Sequence, residues 1–223
     1  MTAPPPQARS RHLVVDLPDV RLPGELTVPD TPIGIVLFAH GAGSSRLSPR
    51  NQYVARVLQA AGMGTLLFDL LTEPESADRG KVFDIPLLGR RLAEATRWLA
   101  GQPGAAGHAL GYFGASTGAA AALVAAAQSP IRIGAVVSRG GRLDLAGEAL
   151  PRVTAPTLLI VGGLDHTVLA LNSMAMERLT CPKRLVVVPG ATHLFEEPGT
   201  LEEVARLAAD WFAQYLGGTP TTG

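Results

Sequence analysis

Short unbroken apolar runs alternate along this chain with longer stretches in which apolar residues recur every three or four positions. The runs are Ile33 to Gly41 (IGIVLFAHG), Gly64 to Leu71 (GTLLFDLL), His108 to Ser116 (HALGYFGAS), Ile133 to Gly141 (IGAVVSRGG), Pro156 to Gly163 (PTLLIVGG) and Arg184 to Gly190 (RLVVVPG). A strand with one wet face alternates apolar and polar residues, so unbroken runs of this length predict strands buried on both faces. The intervening periodicity predicts helices over Asn51 to Ala61, Phe83 to Leu99, Gly118 to Gln128, near Ala170 to Leu179, and from about Thr200 to Leu216. Thr200 and Glu203 fit a capping box opening the last of these. Two strand-like segments near the start, HLVVDL and GELTVP, have no helix between them and read as an antiparallel pair at one edge.

Alternation of this kind gives an α/β fold. The expectation is a mostly parallel central sheet of about eight strands with helices on both faces, in one domain over residues 12–216. Residues 1–11 (MTAPPPQARSR) are expected to form a flexible arm and residues 217–223 a flexible tail. A chain of 223 residues with 47% hydrophobic and 17% charged residues has enough apolar material for a core without staples.

Charge narrows the function classes. Basic and acidic residues number 19 each and are interspersed, which gives no positive field for nucleic acid or for an anionic membrane. No apolar stretch suggests a signal peptide or a membrane span, so a cytoplasmic protein is expected. The one cysteine, Cys181, excludes an intrachain disulfide and reads as a loop thiol. Histidines and carboxylates do not fall into metal-ligand spacings, so no metal and no cofactor is expected.

The chemistry concentrates at Gly114-Ala115-Ser116-Thr117-Gly118. G-x-S-x-G is a weak pattern alone, but here it sits where a buried strand runs into an Ala-rich helix. That turn projects a serine hydroxyl from the C-terminal edge of a sheet and aims the next N–H, that of Thr117, at a developing oxyanion. A hydroxyl needs a base. Of five histidines, only His166 and His193 follow the serine. His193, in a loop after the final strand, would return to the serine's edge, and His166 reads as a solvated loop residue. Asp165, just past the preceding strand, suits the carboxylate that orients the base, with Asp144 one strand earlier as the alternative. The glycine-rich loop His40 to Ser45 would supply a second oxyanion donor, the Ala42 N–H, with His40 as a structural hydrogen-bonding residue. Arg139, Arg142, Arg46 and Arg50 are candidates for binding a substrate carboxylate unless Asp69, Glu73 or Asp144 neutralises them.

In FAHGAGSS, GYFGASTGAAAAL, VVSRGG, APTLLIVGGLD and VPGATHLFEEPG, taken in that order, the chain resembles the capless, dienelactone-hydrolase-like group of the α/β-hydrolase superfamily from about Ile33 to Leu216. The resemblance implies the α/β-hydrolase fold, a triad of Ser116, Asp165 and His193, and hydrolysis of a small-molecule carboxylic ester or related acyl bond. Dienelactone hydrolases proper use a cysteine nucleophile where this chain has Ser116, which favours a general serine esterase. Only a short segment, Arg142 to Thr154, lies where lid domains are usually inserted, so an open site without a cap is expected. An acyltransferase on the same triad, or a non-catalytic binding protein on this scaffold, are the alternative functions.

Overall fold

A computed structural model describes residues 8–217. An eight-stranded sheet runs through the molecule in the order β1-β2-β4-β3-β5-β6-β7-β8. β1 (Ala8–Asp16) and β2 (Arg21–Pro29) form the antiparallel edge pair, and β2 lies antiparallel to β4 (Gly64–Phe68). From there β4, β3 (Ile35–Ala39), β5 (Leu110–Ala115), β6 (Ile133–Arg139), β7 (Thr157–Gly162) and β8 (Lys183–Val188) are parallel. The order reverses between β3 and β5, and ligands in such sheets bind at the carboxyl ends of strands beside that switch point.

The unbroken apolar runs have the expected cause. Every residue of β3, β4, β5 and β7 is buried, because helices cover both faces. On one face α1 (Pro49–Ala60) and α7 (Thr200–Leu216) pack over Val36, Phe38, Phe113, Val137 and Ile160. On the other, α4 (Ile85–Ala100), α5 (Thr117–Gln128) and α6 (His166–Arg178) cover Leu37, Leu66, Tyr112, Val136 and Leu159. Residues 117–125 of α5 are all buried. Alanine makes up much of that stretch, and its small side chain lets the helix lie close to the sheet with little entropy lost.

Several boundaries differ from the sequence reading. β1 begins at Ala8, so the last residues of the expected arm, 8–11, belong to a strand, and residues 1–7 and 218–223 lie outside the described residues. α7 is opened by Gly199, at φ 82°, and not by a threonine cap. Thr200 is already helical, and its hydroxyl donates to the Glu197 carbonyl at 2.7 Å. α6 starts at His166, four residues earlier than expected, because the Asp165 side chain accepts the Val168 N–H and caps it. Two short helices, α2 (Glu73–Ser76) and α3 (Arg79–Val82), occupy the stretch between β4 and α4. Between β6 and β7 a 3-10 segment (Leu143–Arg152) packs its buried Leu143, Ala146, Ala149 and Leu150 against the core, and no cap is inserted there. Among the described residues no helix is long and apolar enough to cross a membrane.

Candidate active site

Ser116 forms the turn between β5 and α5 at φ 52°, ψ −120°, a conformation that costs a non-glycine residue on the order of 1–3 kcal/mol. The surroundings enforce it. The Ser116 N–H donates to the Arg139 carbonyl at 3.1 Å, and its own carbonyl accepts the N–H groups of Ala119 and Arg142, each at 3.1 Å. The start of α5 lies so close to β3 that a Cβ on Gly118 would stand 2.1 Å from the Ala39 carbonyl oxygen and 2.5 Å from that of His40. Both are backbone oxygens at the end of the central strand β3, not the far end of a flexible side chain that could swing aside. Gly118→Ala is therefore expected to destabilise the protein by about 3 kcal/mol or more. Urea unfolding at pH 7 checks this, and an unchanged midpoint would mean the turn is looser than described.

His193 sits in the loop that follows β8, and its Nδ1 is 2.6 Å from Oδ2 of Asp165. The Asp165 side chain is 14% exposed. With Oδ1 capping α6 and Oδ2 on the imidazole, the carboxylate is fixed from two sides. Gly140, just past β6 at φ 53°, passes under the ring: a Cβ there would be 3.3 Å from His193 Cε1 and Nδ1. The Asp165 bond places the proton of a neutral imidazole on Nδ1 and leaves Nε2 as the basic nitrogen. Ser116 Oγ and His193 Nε2 make no hydrogen bond with each other here, but both residues line one cleft of about 700 Å³. Such contacts commonly tighten only when substrate is bound.

The other candidates separate cleanly. Asp144, the alternative acid, is taken by Arg142 at 2.9 and 2.8 Å, while the carboxylate that meets His193 is that of Asp165. His166 is exposed, as expected of a solvated residue, but it is the first residue of α6 and not part of a loop. Arg46, a candidate for substrate binding, is committed to Asp69 through both its backbone N–H (2.7 Å) and its guanidinium (2.5 Å), and it does not line the cleft. Arg139 does line it. Cys181 is buried against Thr157 at the start of β7, the end of the sheet opposite Ser116.

The expected oxyanion donors differ in state. Thr117 is the first residue of α5, where the backbone N–H has no intrahelical partner. The Ala42 N–H, expected to be free, donates instead to Oγ1 of Thr117 at 2.9 Å. An oxyanion would have to draw that N–H away from the hydroxyl or share it.

The loop carrying Ala42 is held from behind. His40 accepts the Leu70 N–H on Nε2 (3.0 Å), its Nδ1 is 3.1 Å from the Gly41 carbonyl, and burial lowers its pKa, so it stays neutral and structural. The Leu70 carbonyl accepts a bond from Arg91 (3.0 Å), which is buried and forms a two-pronged pair with Glu75 at 2.7 and 3.0 Å. This support was not visible in the sequence, because Glu75 and Arg91 lie on separate helices.

The Arg91 guanidinium, with help from Thr72 and Lys81, holds the Glu75 carboxyl far below its usual 4.5. A depressed carboxylate contributes stability above its unfolded pKa, and that stability is lost as pH falls toward the folded value. Glu75→Gln should therefore cost about 3 kcal/mol at pH 7, where Arg91 is left buried with half a partner, and progressively less below about pH 4.5. Unfolding curves at pH 7 and pH 4 test this. Equal losses at both would contradict it.

A profile described as the dienelactone hydrolase family matches residues 77–216, a span that includes Ser116, Arg139, Asp165 and His193. The chain belongs to the dienelactone hydrolase family. A solved dienelactone hydrolase from Anabaena variabilis ATCC 29413 is 56% identical, covers 94% of this chain and 99% of its own, and superposes with a TM-score of 0.91. That match extends the likeness back across the first strands. The esterase domain of a Rhodothermus marinus protein, 20% identical over 94% of this chain and 100% of its own, superposes at 0.75 and agrees in fold. A Mycobacterium tuberculosis protein provisionally named as a phosphoribosyl transferase is 59% identical over 218 residues, which make up 98% of this chain but 49% of that protein. The chain thus spans about half the length of that relative. The fold is the α/β-hydrolase fold, and this member of the dienelactone hydrolase family carries Ser116 at the strained turn from β5 into α5.

Proposed function

We propose that this chain is a serine hydrolase of carboxylic esters, acting through Ser116, His193 and Asp165 and an acyl-enzyme intermediate. The observation that carries this is the 2.6 Å pairing of His193 with Asp165 on the rim of the cleft that holds Ser116 in its strained turn. In the first step His193 Nε2 takes the Ser116 proton as Oγ attacks the ester carbonyl, and the tetrahedral oxyanion is held by the Thr117 N–H and by the Ala42 N–H drawn from Oγ1 of Thr117. Collapse expels the alcohol, protonated by His193, and leaves Ser116 acylated. Water, activated by the same imidazole, then releases the acid and restores the serine.

The cleft has apolar walls from Leu71, Val82 and Leu88 and lacks a cap, which suits short or slender acyl groups that diffuse in from water. The phosphoribosyl transferase name of the Mycobacterium tuberculosis relative stays with that longer polypeptide, of which this chain matches 49%. A panel of 4-nitrophenyl esters from acetate to decanoate tests the reading. Saturable hydrolysis is expected, fastest at short chain lengths and without a jump in rate at the solubility limit. Failure to hydrolyse any of them would overturn it.

A further inference from the structure

Thr117 carries a hydroxyl proton that the fold itself does not use. The residue opens α5 and is only 2% exposed, yet it lines the cleft beside Ser116. Its Oγ1 accepts the Ala42 N–H at 2.9 Å, and among the described residues no acceptor takes the hydroxyl's own proton. Other buried threonines behave differently. Oγ1 of Thr96 donates to the Leu92 carbonyl at 2.8 Å, that of Thr157 to the Ala155 carbonyl at 2.9 Å, and that of Thr200 to the Glu197 carbonyl at 2.7 Å. Threonine hydroxyls commonly bond nearby carbonyls of their own segment in this way. The Thr117 hydroxyl is engaged instead with the loop after β3, and a buried donor without an acceptor is costly.

The location gives that proton a use. The loop after β3 packs directly on the nucleophile turn: a Cβ on Gly41 would stand 3.0 Å from both Ser116 Cβ and the Ala115 carbonyl oxygen. The two N–H groups that would hold the oxyanion are those of Thr117 and Ala42. One belongs to the residue that bears the hydroxyl, and the other is already bonded to it. A hydroxyl that accepts an N–H is polarised and donates more strongly in turn. The charge that develops on the substrate's carbonyl oxygen would be its acceptor, taking a hydrogen bond without proton transfer while Oγ1 shares the Ala42 N–H.

We propose that the Thr117 hydroxyl is a third oxyanion donor, which steadies the Ala42 N–H in the resting protein and adds its own O–H in the transition state. The inference rests on the ester-hydrolase reading and adds a side chain where that reading uses only backbone N–H groups.

Thr117→Val replaces the hydroxyl by a methyl group at nearly constant shape, and Thr117→Ser keeps the hydroxyl. On 4-nitrophenyl butyrate, kcat is expected to fall about 10²-fold in Thr117→Val with KM changed by less than about threefold, the pattern of a lost contact made only in the transition state. Thr117→Ser should stay within about fivefold of wild type, because its hydroxyl can take the same rotamer. A second readout is inhibition by 1,1,1-trifluoro-2-octanone. Ser116 Oγ adds to its carbonyl carbon, the serine proton passes to His193, and the ketone oxygen becomes the anion of a hemiketal. The inhibition constant should rise in Thr117→Val by about the factor by which kcat/KM falls. Thr117→Ala removes the hydroxyl by a second route should the valine variant fail to fold. A loss of kcat that serine restores, with inhibition weakened in parallel, supports the third donor. Wild-type kcat in the valine or alanine variant overturns it and leaves the hydrolase reading standing. So does a faster variant, which would make the hydroxyl a competitor for the Ala42 N–H. A serine variant as impaired as valine, or an unchanged inhibition constant, overturns it as well. A wild-type protein that hydrolyses no ester sinks the hydrolase reading, and the third donor with it.

Discussion

Ser116→Ala lowers kcat on a 4-nitrophenyl ester by roughly 10⁴- to 10⁶-fold while leaving the fold intact. The loss is large because the hydroxyl supplies the atom that forms the covalent bond, in the cleft that the His193–Asp165 pair also lines through His193. The residual rate would come from the oxyanion donors and from binding alone. Stability should stay within about 0.5 kcal/mol of wild type, because Ser116 Oγ makes no hydrogen bond to the rest of the fold and alanine meets the same strained backbone. Steady-state kinetics and a urea titration on one preparation separate the two effects. Full activity in the alanine variant would place the nucleophile elsewhere.

Asp165→Asn should lower kcat by roughly 10⁴-fold near neutral pH. An amide in place of the carboxylate can donate to His193 Nδ1, which pins the ring proton on Nε2 and removes the nitrogen that must accept the serine proton. The same side chain also caps α6 through the Val168 N–H at 3.3 Å, and asparagine caps helices about as well as aspartate. The variant should thus fold normally, so that lost activity reports on the tautomer and not on α6. Asp144→Asn is the matched control. Its carboxylate serves Arg142, and the change should alter kcat by less than about threefold. Equal losses in the two variants, or a larger one at Asp144, would move the acid one strand earlier.

The sheet was readable in the sequence because both its faces are covered. A run such as Leu158 to Val161 has no polar position at which a strand could face water, and the structure buries all of it. The edge was read less well. The composition of Pro4 to Arg11 looks like a loose arm, so the start of β1 at Ala8 was hidden. The N-terminus of α7 was misplaced for a related reason: Thr200 and Glu203 fit a cap pattern, but Gly199 takes the cap position with a backbone that only a left-handed turn supplies.

At the site, chain order brought Ser116, Asp165 and His193 forward, and strand ends determine which loops can meet. Distances between loops are a different matter. Nothing in the residue types says that Arg46 would find Asp69 while Arg139, as charged and as close to the edge, would find no carboxylate. Nor does the pattern around Gly41 indicate that Oγ1 of Thr117 would reach across to the Ala42 N–H, 75 positions away in the chain. Glu75 and Arg91 belong to the same class, visible only once α2 is folded against α4.

The central claim is that the hydroxyl of Ser116 is a nucleophile made reactive by its neighbours. Incubation with a fluorophosphonate, followed by intact mass and peptide mapping, tests it without knowledge of the natural substrate. One stoichiometric adduct on the peptide containing Ser116, absent from Ser116→Ala and greatly slowed in His193→Ala, is the predicted result. An unlabelled wild-type protein, or an adduct on any other residue, would contradict it.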